Sequence, residues 1–310
     1  MTNISQRDIF WEKVYEMAKK DRNVIIVSAD MGAPSLDKIR LELPTQFVNV
    51  GIAEQNAITL AAGLALSGKK VFVYAIAPFI TLRCLEQIRV ENAIMNIPIT
   101  VVGVGVGFGY DDSGPTHHLI EDIAVMRSMP NITVNTMTDN YLVEAFAEAS
   151  ADIKNTSYIR LYRQNLPAVY KSKPDISKGH NIVKEGNDYF IVACGSTVYT
   201  ALETSAKLQE KGINAGVIDL FSQPVNEEQF VKTVKRTKKI LTLEEHFLPG
   251  GMGSAVLETL ADNGISIPVK RLGLPTSKGY CYKYGGIDVI REFYGIDNDT
   301  VLKQSAEFFK

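Results

Sequence analysis

The sequence predicts an α/β protein of two doubly wound domains, each built on a largely parallel sheet. Strands of near-continuous valine and isoleucine alternate with helical stretches along the chain, a pattern typical of parallel sheets that are covered on both faces. The length of 310 residues suggests about two domains. The polar stretch KSKPDISKGH has no periodicity and indicates a linker. We therefore expect a first domain at residues 1–170, a linker at 171–183 and a second domain at 184–310.

The first domain opens with a helix at Gln6–Lys20, because its apolar side chains recur near one face. Short apolar runs then predict strands at Val24–Ser28, Gln46–Val50, Lys70–Ile76, Ile99–Gly105, Ile132–Thr136 and Ser157–Tyr162. The intervening stretches predict helices at Ala57–Ser67, Leu82–Met95, Leu119–Arg127 and Asn140–Ala151, the last capped by Thr138 or Asp139. Ligands bind beyond the carboxyl ends of the strands in such sheets. The candidate functional loops therefore follow Ser28, Val50, Ile76, Gly105 and Tyr162.

The second domain repeats the alternation of strands and helices. Its predicted strands are Tyr189–Ala193, Ala215–Leu220, Ile240–Leu243 and Val269–Leu272. Its predicted helices are Val198–Lys211, Asn226–Thr237 and Gly253–Ala261, followed near the end of the sequence by Ile287–Tyr294 and Thr300–Phe309.

Composition and charge exclude several classes of protein. The net charge of −2 gives no electrostatic attraction to nucleic acid or to an anionic membrane, so we expect neither as a partner. The first twenty residues do not resemble a signal peptide, and no apolar run is long enough to span a bilayer. Cys84, Cys194 and Cys281 are odd in number and far apart, which excludes a disulfide framework and favours the cytoplasm. We expect no metal ligands in this chain, since its four histidines lack zinc-binding spacing.

The most informative stretch is GIAEQN at residues 51–56, between an apolar strand and an apolar helix. This turn places Glu54 at the carboxyl edge of the predicted sheet and in the first turn of a helix. A glutamate there complements the helix dipole by roughly 0.3–1 kcal/mol, and by itself the position predicts no more than that. A functional interpretation of Glu54 depends on the other loops at the same edge.

The loops after the first and third strands carry further candidates. Asp30 and Ser35 lie in a tight polar turn after the first strand. Phe79 and Leu82 follow the third strand. An aromatic residue in that place more often belongs to the core, but it can also offer a flat ligand a face to stack on.

The fourth and last strands lead into the other candidate loops. The glycine run at 103–109 contains no GxGxxG motif, so we interpret it as a strand that enters a flexible loop. That loop ends in SGPTHH, which includes Ser113 and His117. The last strand runs into RQNLP, which begins at Arg163. His117 could also be a polar neighbour of a helix cap at Thr116, and Arg7 could be a surface charge of the first helix.

Three of these motifs resemble the transketolase family. Residues 48–65, VNVGIAEQNAITLAAGLA, are similar to its cofactor-activating segment, GPTH followed by IED to its substrate loop, and RQNLP to its phosphate-binding loop. The resemblance covers nearly the whole chain and implies a pyrimidine-binding domain followed by the family's C-terminal domain. The family uses thiamine diphosphate with Mg²⁺ to transfer a two-carbon ketol unit from a ketose phosphate to an aldose.

The resemblance implies a role for each candidate residue. Glu54 would hold the aminopyrimidine ring of thiamine diphosphate, and Phe79 would stack on that ring. Leu82 and Leu85 fall at positions that are aromatic in one-chain transketolases, so this cofactor pocket is more aliphatic. The other implied roles are Asp30 near the cofactor, Ser35 facing the sugar phosphate, His117 stabilising the developing alkoxide and moving protons, and Arg7 and Arg163 binding the phosphate.

At two positions the chain departs from family members with broad pentose phosphate activity. The Asp that precedes GPTH in those enzymes, where it binds a donor hydroxyl, is Ser113 here, with Asp112 one residue earlier. A His that they carry twelve residues before the GPTH His falls at Gly105. Losing groups that bind hydroxyls changes which sugars a site rejects. We therefore expect a specialised ketose rather than xylulose 5-phosphate as the substrate, with Ser113 facing it.

The sequence lacks the Gly-Asp-Gly motif with which the family holds Mg²⁺ and the diphosphate. We therefore expect an N-terminal transketolase subunit to supply the diphosphate-binding domain, in an α2β2 assembly whose sites form between subunits. One alternative is the beta subunit of a 2-oxoacid dehydrogenase, which GPTH and RQNLP disfavour because that class binds no sugar phosphate. Another is a non-catalytic regulatory subunit, which the intact Glu54 disfavours. Deoxyxylulose-phosphate synthase is a nearer relative, but it is a single chain that contains the missing domain.

Overall fold

In the computed structural model, which describes residues 4–310 apart from the side chain of Ser35, twelve strands form two sheets. The strands are β1 (Val24–Ser28), β2 (Phe47–Asn49), β3 (Lys70–Ile76), β4 (Thr100–Val104), β5 (Ile132–Thr136), β6 (Thr156–Leu161), β7 (Asn181–Lys184), β8 (Tyr189–Ala193), β9 (Ala215–Asp219), β10 (Ser222–Gln223), β11 (Lys239–Phe247) and β12 (Val269–Leu274). The chain is thus made of two α/β domains, as the alternation of apolar runs predicts.

Helices cover both sheets. They are α1 (Gln6–Lys20), α2 (Pro34–Glu42), α3 (Glu54–Leu66), α4 (Ala77–Ile80), α5 (Leu85–Gln87), α6 (Asp122–Arg127), α7 (Asn140–Ala149), α8 (Thr197–Glu210), α9 (Glu227–Val234), α10 (Met252–Asp262), α11 (Ile287–Tyr294) and α12 (Asn298–Phe309). Across residues 4–310, no helix combines the length and the apolar character that crossing a membrane requires.

The first sheet has the strand order β10–β5–β6–β4–β3–β1–β2, and β1 to β6 all run parallel. Successive residues of β1 point to opposite faces. Ile25 and Val27 pack in one core cluster with α3, whereas Val24 and Ile26 pack in another with α1. Both faces are therefore buried, and the loops at the carboxyl edge remain for a ligand.

The second sheet has the order β12–β11–β8–β9–β7, with only β7 antiparallel to its neighbour. The two-residue strand β10 does not belong to it. β10 instead pairs antiparallel with β5 at the edge of the first sheet, and the Ser222 hydroxyl donates to Asn135 Oδ1 at 2.7 Å. A segment of the second half of the chain thus completes the sheet of the first half.

Two predicted helices differ in the structure. Helix α6 begins only at Asp122, because Leu119 pairs with Gly107 and the carbonyl of Ile120 accepts a hydrogen bond from the Phe247 amide. The stretch expected as one helix at Leu82–Met95 is instead a 3-10 turn, the short α5 and a π-helical turn over Ile88–Ile94. Such wide turns often occur near functional sites.

The structure also contains elements that the sequence pattern did not predict. Helix α2 begins at Pro34, whose fixed φ suits a first helical position. Strand β7 starts at Asn181, inside the stretch expected as a linker at 171–183. It is a short, polar edge strand, and for this reason it gives no apolar signal in the sequence.

Candidate active site

The carboxyl ends of β1, β2 and β3 surround the start of α3, where Glu54 is buried. Gly51 has a φ of 73°, and its amide donates to Asn49 Oδ1 at 2.9 Å, so the chain turns sharply between β2 and the helix. Glu54 is the first residue of α3 and is only 5% exposed. Arg83 Nη1 donates to Glu54 Oε2 at 2.9 Å, the one side-chain hydrogen bond of this carboxylate within residues 4–310.

Phe79 lies on α4, directly after β3, and shares Arg83 with Glu54. The guanidinium carbon of Arg83 is 4.2 Å from the centre of the Phe79 ring, which makes a cation–π contact. The half-buried Phe79 ring also meets the His117 ring edge-on, with the ring centres 5.2 Å apart. Three residues that the sequence motifs assign to one site are therefore neighbours.

His117 is held in the loop between β4 and α6. Its amide donates to the carbonyl of Gly114 at 3.0 Å, and Gly114 has a φ of 78°. On its ring, Nδ1 is 3.0 Å from Thr116 Oγ1, and the ring centre is 5.9 Å from that of Tyr110. Because Nδ1 faces a hydroxyl, Nε2 is the nitrogen available for a substrate.

Arg163 lies against the same loop. Its guanidinium carbon is 4.9 Å from the centre of the Tyr110 ring, and its Nη1 donates to Asp112 Oδ1 at 3.4 Å. Ser113 Oγ donates to the same carboxylate oxygen at 3.0 Å. The Ser113 hydrogen bond lowers the pKa of Asp112, and Arg163 lowers it further. Asp112 and Ser113 thus form a hydrogen-bonded pair beside Arg163.

Arg7 is on the first turn of α1, and its Nε is 3.1 Å from Asp8 Oδ1. Burial acts to lower the pKa of Arg7, but Asp8 and Tyr74 raise it overall. Burial raises the pKa of Tyr110, and Arg163 and Arg7 both act in the opposite direction. Since both cations influence the same phenol, Arg7 and Arg163 lie on the same side of the site.

Three other residues proposed from the sequence are not joined to these groups by contact. Asp30 is exposed, has a φ of 51°, and exchanges hydrogen bonds of 3.2 Å with Asn49. Leu82 is partly exposed and begins the turn that carries Arg83. The side chain of Ser35 lies outside the described residues, although its backbone belongs to α2.

Two residues to which the motifs assign no role lie in the middle of the site. Arg83 joins Glu54 to Phe79, and Tyr110 contacts both His117 and Arg163. Arg83 follows Phe79 by four residues, a spacing that often places two side chains together on a helix. That spacing could have revealed Arg83. No comparable signal marks Tyr110, because its place depends on the path of the loop.

The ring of Tyr110 takes the space that a side chain at residue 105 would need. Gly105 has a φ of 81°, and a Cβ built there would lie 2.0 Å from Tyr110 Cε2. Glycine is required for this close approach as well as for the backbone conformation. A tyrosine from the loop therefore fills the position where family members with pentose phosphate activity carry a histidine.

The charged groups of the site form pairs rather than a metal-binding cluster. Within residues 4–310, and leaving the Ser35 side chain aside, no three His, Cys, Asp or Glu side chains are grouped to hold a metal ion. Glu54 and Asp112 each pair with an arginine instead. What the arrangement offers chemically is a buried carboxylate, an aromatic face, an imidazole and guanidinium groups.

Comparisons with known proteins agree with the motifs. Two family models match the chain, namely the transketolase pyrimidine binding domain at residues 2–169 and the transketolase C-terminal domain at residues 179–301. One of the two subunits of apulose-4-phosphate transketolase from Phocaeicola vulgatus, the B-type one, is 37% identical over 99% of this chain and 98% of its own length. A 1-deoxy-D-xylulose-5-phosphate synthase from Parasynechococcus marenigrum is 34% identical over 87% of this chain, which is 43% of its own length.

A solved structure gives the same answer for the whole fold. It is described as a split-gene transketolase in an inactive beta4 tetramer, and it matches this chain with a TM-score of 0.86 and 31% identity. The match covers 99% of both chains. The chain therefore belongs to the transketolase family, as a beta-type subunit that carries the pyrimidine-binding and C-terminal domains.

Proposed function

We propose that this chain is the C-terminal subunit of a thiamine diphosphate-dependent transketolase, which transfers a two-carbon ketol unit from a ketose phosphate to an aldose. The observation that carries the proposal is the series of contacts from Glu54 through Arg83 and Phe79 to His117. It sets a buried carboxylate, a ring for stacking and an imidazole side by side at the carboxyl edge of the first sheet. A regulatory subunit would have no need for this arrangement.

The residues at this edge fit the aminopyrimidine ring of the cofactor. That ring is flat, and it needs an apolar face to stack on and a carboxyl group to bind its ring nitrogen. The guanidinium of Arg83 is also flat and rich in N–H donors, and it makes both contacts, one with Phe79 and one with Glu54. The pocket therefore has the shape and the partners that a planar nitrogenous group requires.

The roles of the side chains follow from their chemistry. When bound, thiamine diphosphate supplies the electron sink that allows the carbon–carbon bond beside a ketose carbonyl to break. Glu54 holds and exchanges the proton at the ring nitrogen of the cofactor. His117 takes and returns a hydroxyl proton of the sugar at Nε2. Arg163 and Arg7 bind the sugar phosphate with their guanidinium groups, which suit phosphate oxygens.

We place the diphosphate and its Mg²⁺ on a separate N-terminal subunit. The support is the relative from Phocaeicola vulgatus, itself named as one subunit of an enzyme, which matches this chain over nearly its full length, and the lack of a Gly-Asp-Gly motif in this sequence. Next to the site, Ile52 and Ile94 are 80% and 62% exposed, which suits a surface that a partner covers. An α2β2 assembly supplies such a partner symmetrically. The free, buried cysteines favour a reducing cytoplasm as its location.

The substrate in this proposal is a specialised sugar phosphate rather than xylulose 5-phosphate. The support is local, because Tyr110 fills the place above Gly105 and the Asp112–Ser113 pair replaces a single aspartate. The relative from Phocaeicola vulgatus is named for apulose 4-phosphate. That compound is therefore the first sugar phosphate to assay with the assembled enzyme.

The variant Glu54→Gln tests the proposal. In the complex with the N-terminal subunit, it should remain folded and lose at least roughly 10²–10⁴-fold in activity, because an amide cannot exchange the proton. Ketol transfer and circular dichroism measure the two properties. Full activity of the variant would contradict the assignment of Glu54.

The same complex distinguishes the alternatives. Turnover of a 2-oxoacid, with none of any ketose phosphate, would identify a beta subunit of the 2-oxoacid dehydrogenase type. A complex that binds thiamine diphosphate and turns over neither class of substrate would identify a regulatory subunit.

A further inference from the structure

Arg83 occupies the place that the proposed function gives to the aminopyrimidine ring. We propose that Arg83 competes with that ring for Glu54 and Phe79, so that the cofactor must displace this side chain when it binds. Arg83 thereby sets the affinity of the assembled enzyme for thiamine diphosphate. The inference rests on the proposed function, which assigns Glu54 and Phe79 to the cofactor.

The competition follows from the geometry of the two contacts. Arg83 Nη1 is 2.9 Å from Glu54 Oε2, so the guanidinium uses a carboxylate oxygen that a ring nitrogen could use. Its central carbon is 4.2 Å from the centre of the Phe79 ring, which is the separation of stacked groups. A second flat group on that face of Phe79 would overlap the guanidinium. The ring and Arg83 therefore cannot make these contacts at the same time.

Arg83 can leave without disturbing the fold. Its side chain is 45% exposed, whereas that of Glu54 is 6% exposed, so the guanidinium moves into water rather than through the core. Its backbone lies in the turn Leu82–Cys84. Gln55 Nε2 donates to the Arg83 carbonyl at 3.1 Å, which ties that turn to α3. The backbone is thus anchored while the long side chain is able to swing away.

Arg83 also explains how the chain tolerates Glu54 before the cofactor binds. A buried carboxylate that loses its only partner is strongly destabilising, and Arg83 supplies that partner in the cofactor-free chain. A half-exposed ion pair contributes little in water, so its replacement by a ligand is cheap. The same carboxylate therefore changes partner, from the guanidinium to the ring nitrogen of the cofactor.

The variant Arg83→Met removes the charge and the donors but keeps a long side chain. An ion pair and a cation–π contact at a half-exposed site are each worth roughly a factor of two to five in an equilibrium constant. The apparent Kd falls when a competing state is removed, so Arg83→Met should lower the Kd of thiamine diphosphate by about fivefold. Arg83→Lys keeps the charge without the flat fork and should fall in between.

The matched control is Arg40→Met. Arg40 is also an exposed arginine, with Nη2 3.0 Å from Asp37 Oδ1 on α2, and it has no contact with Glu54 or Phe79 within the described residues. This control should leave the Kd of the cofactor unchanged. It separates the competition from any general effect of removing a surface charge.

The experiment is a calorimetric titration of the assembled complex with thiamine diphosphate and Mg²⁺, for the wild type and each variant. A second measurement is the thermal unfolding of the isolated chain. There Arg83→Met should lower the Tm, and it should lower it less when Glu54→Gln is already present, because the two residues interact directly.

The outcomes separate this inference from the proposed function. An unchanged Kd for Arg83→Met, together with an inactive Glu54→Gln, would overturn the competition and leave the proposed function in place. A higher Kd for Arg83→Met would show that Arg83 helps to hold the cofactor, which also overturns it. A fully active Glu54→Gln, or a wild-type complex that binds no cofactor, would overturn both.

Discussion

Glu54 is an acidic residue whose position serves the helix and whose surroundings serve a ligand. A carboxylate in the first turn of α3 is stabilised by the helix dipole, and an exposed glutamate would be stabilised in the same way. This one is buried beside the contact between Phe79 and Arg83. Its Oε1 accepts no hydrogen bond from the part of the chain that the structure describes. One lone-pair face of the carboxylate is thus still available for a ligand.

At the same scale, Arg163→Ala should weaken sugar phosphates more than unphosphorylated sugars. A hydrogen bond to a charged group is worth about 1.5–3 kcal/mol, which corresponds to a loss of roughly tenfold to a hundredfold in kcat/KM. The measurement is kcat/KM for a ketose phosphate and for the same ketose without phosphate. Arg22→Ala is the control, because Arg22 is exposed at the opposite, amino edge of the sheet. Equal losses on both sugars would contradict the phosphate-binding role.

At the scale of elements, the segment between β4 and α6 decides the shape of the site. It contains Tyr110 and His117, and the second domain holds it from behind. The amide of Phe108 donates to Glu245 Oε1 at 2.8 Å, and Gly107 pairs with Leu119 across the base of the loop. The loop is therefore less flexible than its glycine content predicts.

The variant Gly105→Ala should disturb this segment. Residue 105 has a φ of 81° and no room for a Cβ beside the Tyr110 ring, so strain of about 1–3 kcal/mol and a displaced Tyr110 are expected. Chemical unfolding measures the loss of stability. Gly63→Ala is the control, because a Cβ on Gly63 meets nothing within 4 Å on α3. Equal stabilities of the two variants would show that Tyr110 moves aside freely.

Apolar alternation predicts the buried strands well, and polar or very short strands poorly. β1, β3, β5 and β8 match their predicted bounds, because strands buried on both faces must be apolar throughout. β10 was missed because it has two residues, and its partner β5 is remote in sequence.

Strand β11 runs on to Phe247, beyond its predicted end at Leu243, because its last residues are polar yet buried. Glu244 accepts hydrogen bonds from the amides of Met252 and Gly253. A polar side chain satisfied in this way is permitted in the interior. No sequence pattern reports such a remote partner.

The site divides along the same line. Glu54, Phe79 and His117 belong to short motifs, so the sequence locates them and the structure places them together. Arg83 and Tyr110 act through the turns that carry them, and those turns include a 3-10 segment and an irregular loop. Geometry of that kind arises from tertiary packing, which no local pattern encodes.

At the scale of the whole molecule, buried charges join the second domain to the loop of the first. Arg291 Nη2 donates to Glu245 Oε2 at 2.6 Å and to Ser196 Oγ at 3.0 Å. The other oxygen of Glu245 accepts the Phe108 amide. Glu245 thus has partners on both of its oxygens, as a buried carboxylate requires. The second domain contributes to the site by holding this loop.

His118 makes this junction sensitive to pH. It is buried, and neither ring nitrogen has a hydrogen-bond partner within the described residues. Burial lowers the pKa of His118, and Glu245 and Asp111 offset this in part. A base whose pKa is lower in the folded state stabilises the fold above its unfolded value, which is 6.5, and this stability is lost as the pH falls below that value.

The prediction compares the wild type with His118→Phe. Between about pH 8 and about pH 5.5, the Tm of the wild type should fall more than the Tm of the variant, because only the wild type must protonate a buried imidazole on unfolding. The difference between the two curves removes the contributions of other titrating groups. Parallel curves would show that His118 does not take up the proton.

The isolated chain should bind thiamine diphosphate only weakly and show no turnover, because the proposed function places the diphosphate and Mg²⁺ on another subunit. A related split-gene chain is described as an inactive beta4 tetramer. Calorimetry of the chain alone with cofactor and Mg²⁺ is the measurement. Tight binding would mean that this chain holds the diphosphate by itself.

Strand β10 has a consequence for the newly synthesised chain. The parallel strands of the first sheet are all present once Leu161 has been made, but β5 lacks its outer neighbour until Ser222 and Gln223 follow. Roughly sixty residues separate these points, or about 3–12 s at the usual speed of translation. During that interval β5 is an unpaired edge, which can pair with another nascent chain. Slower translation of this segment lengthens the exposure and favours aggregation between neighbouring ribosomes.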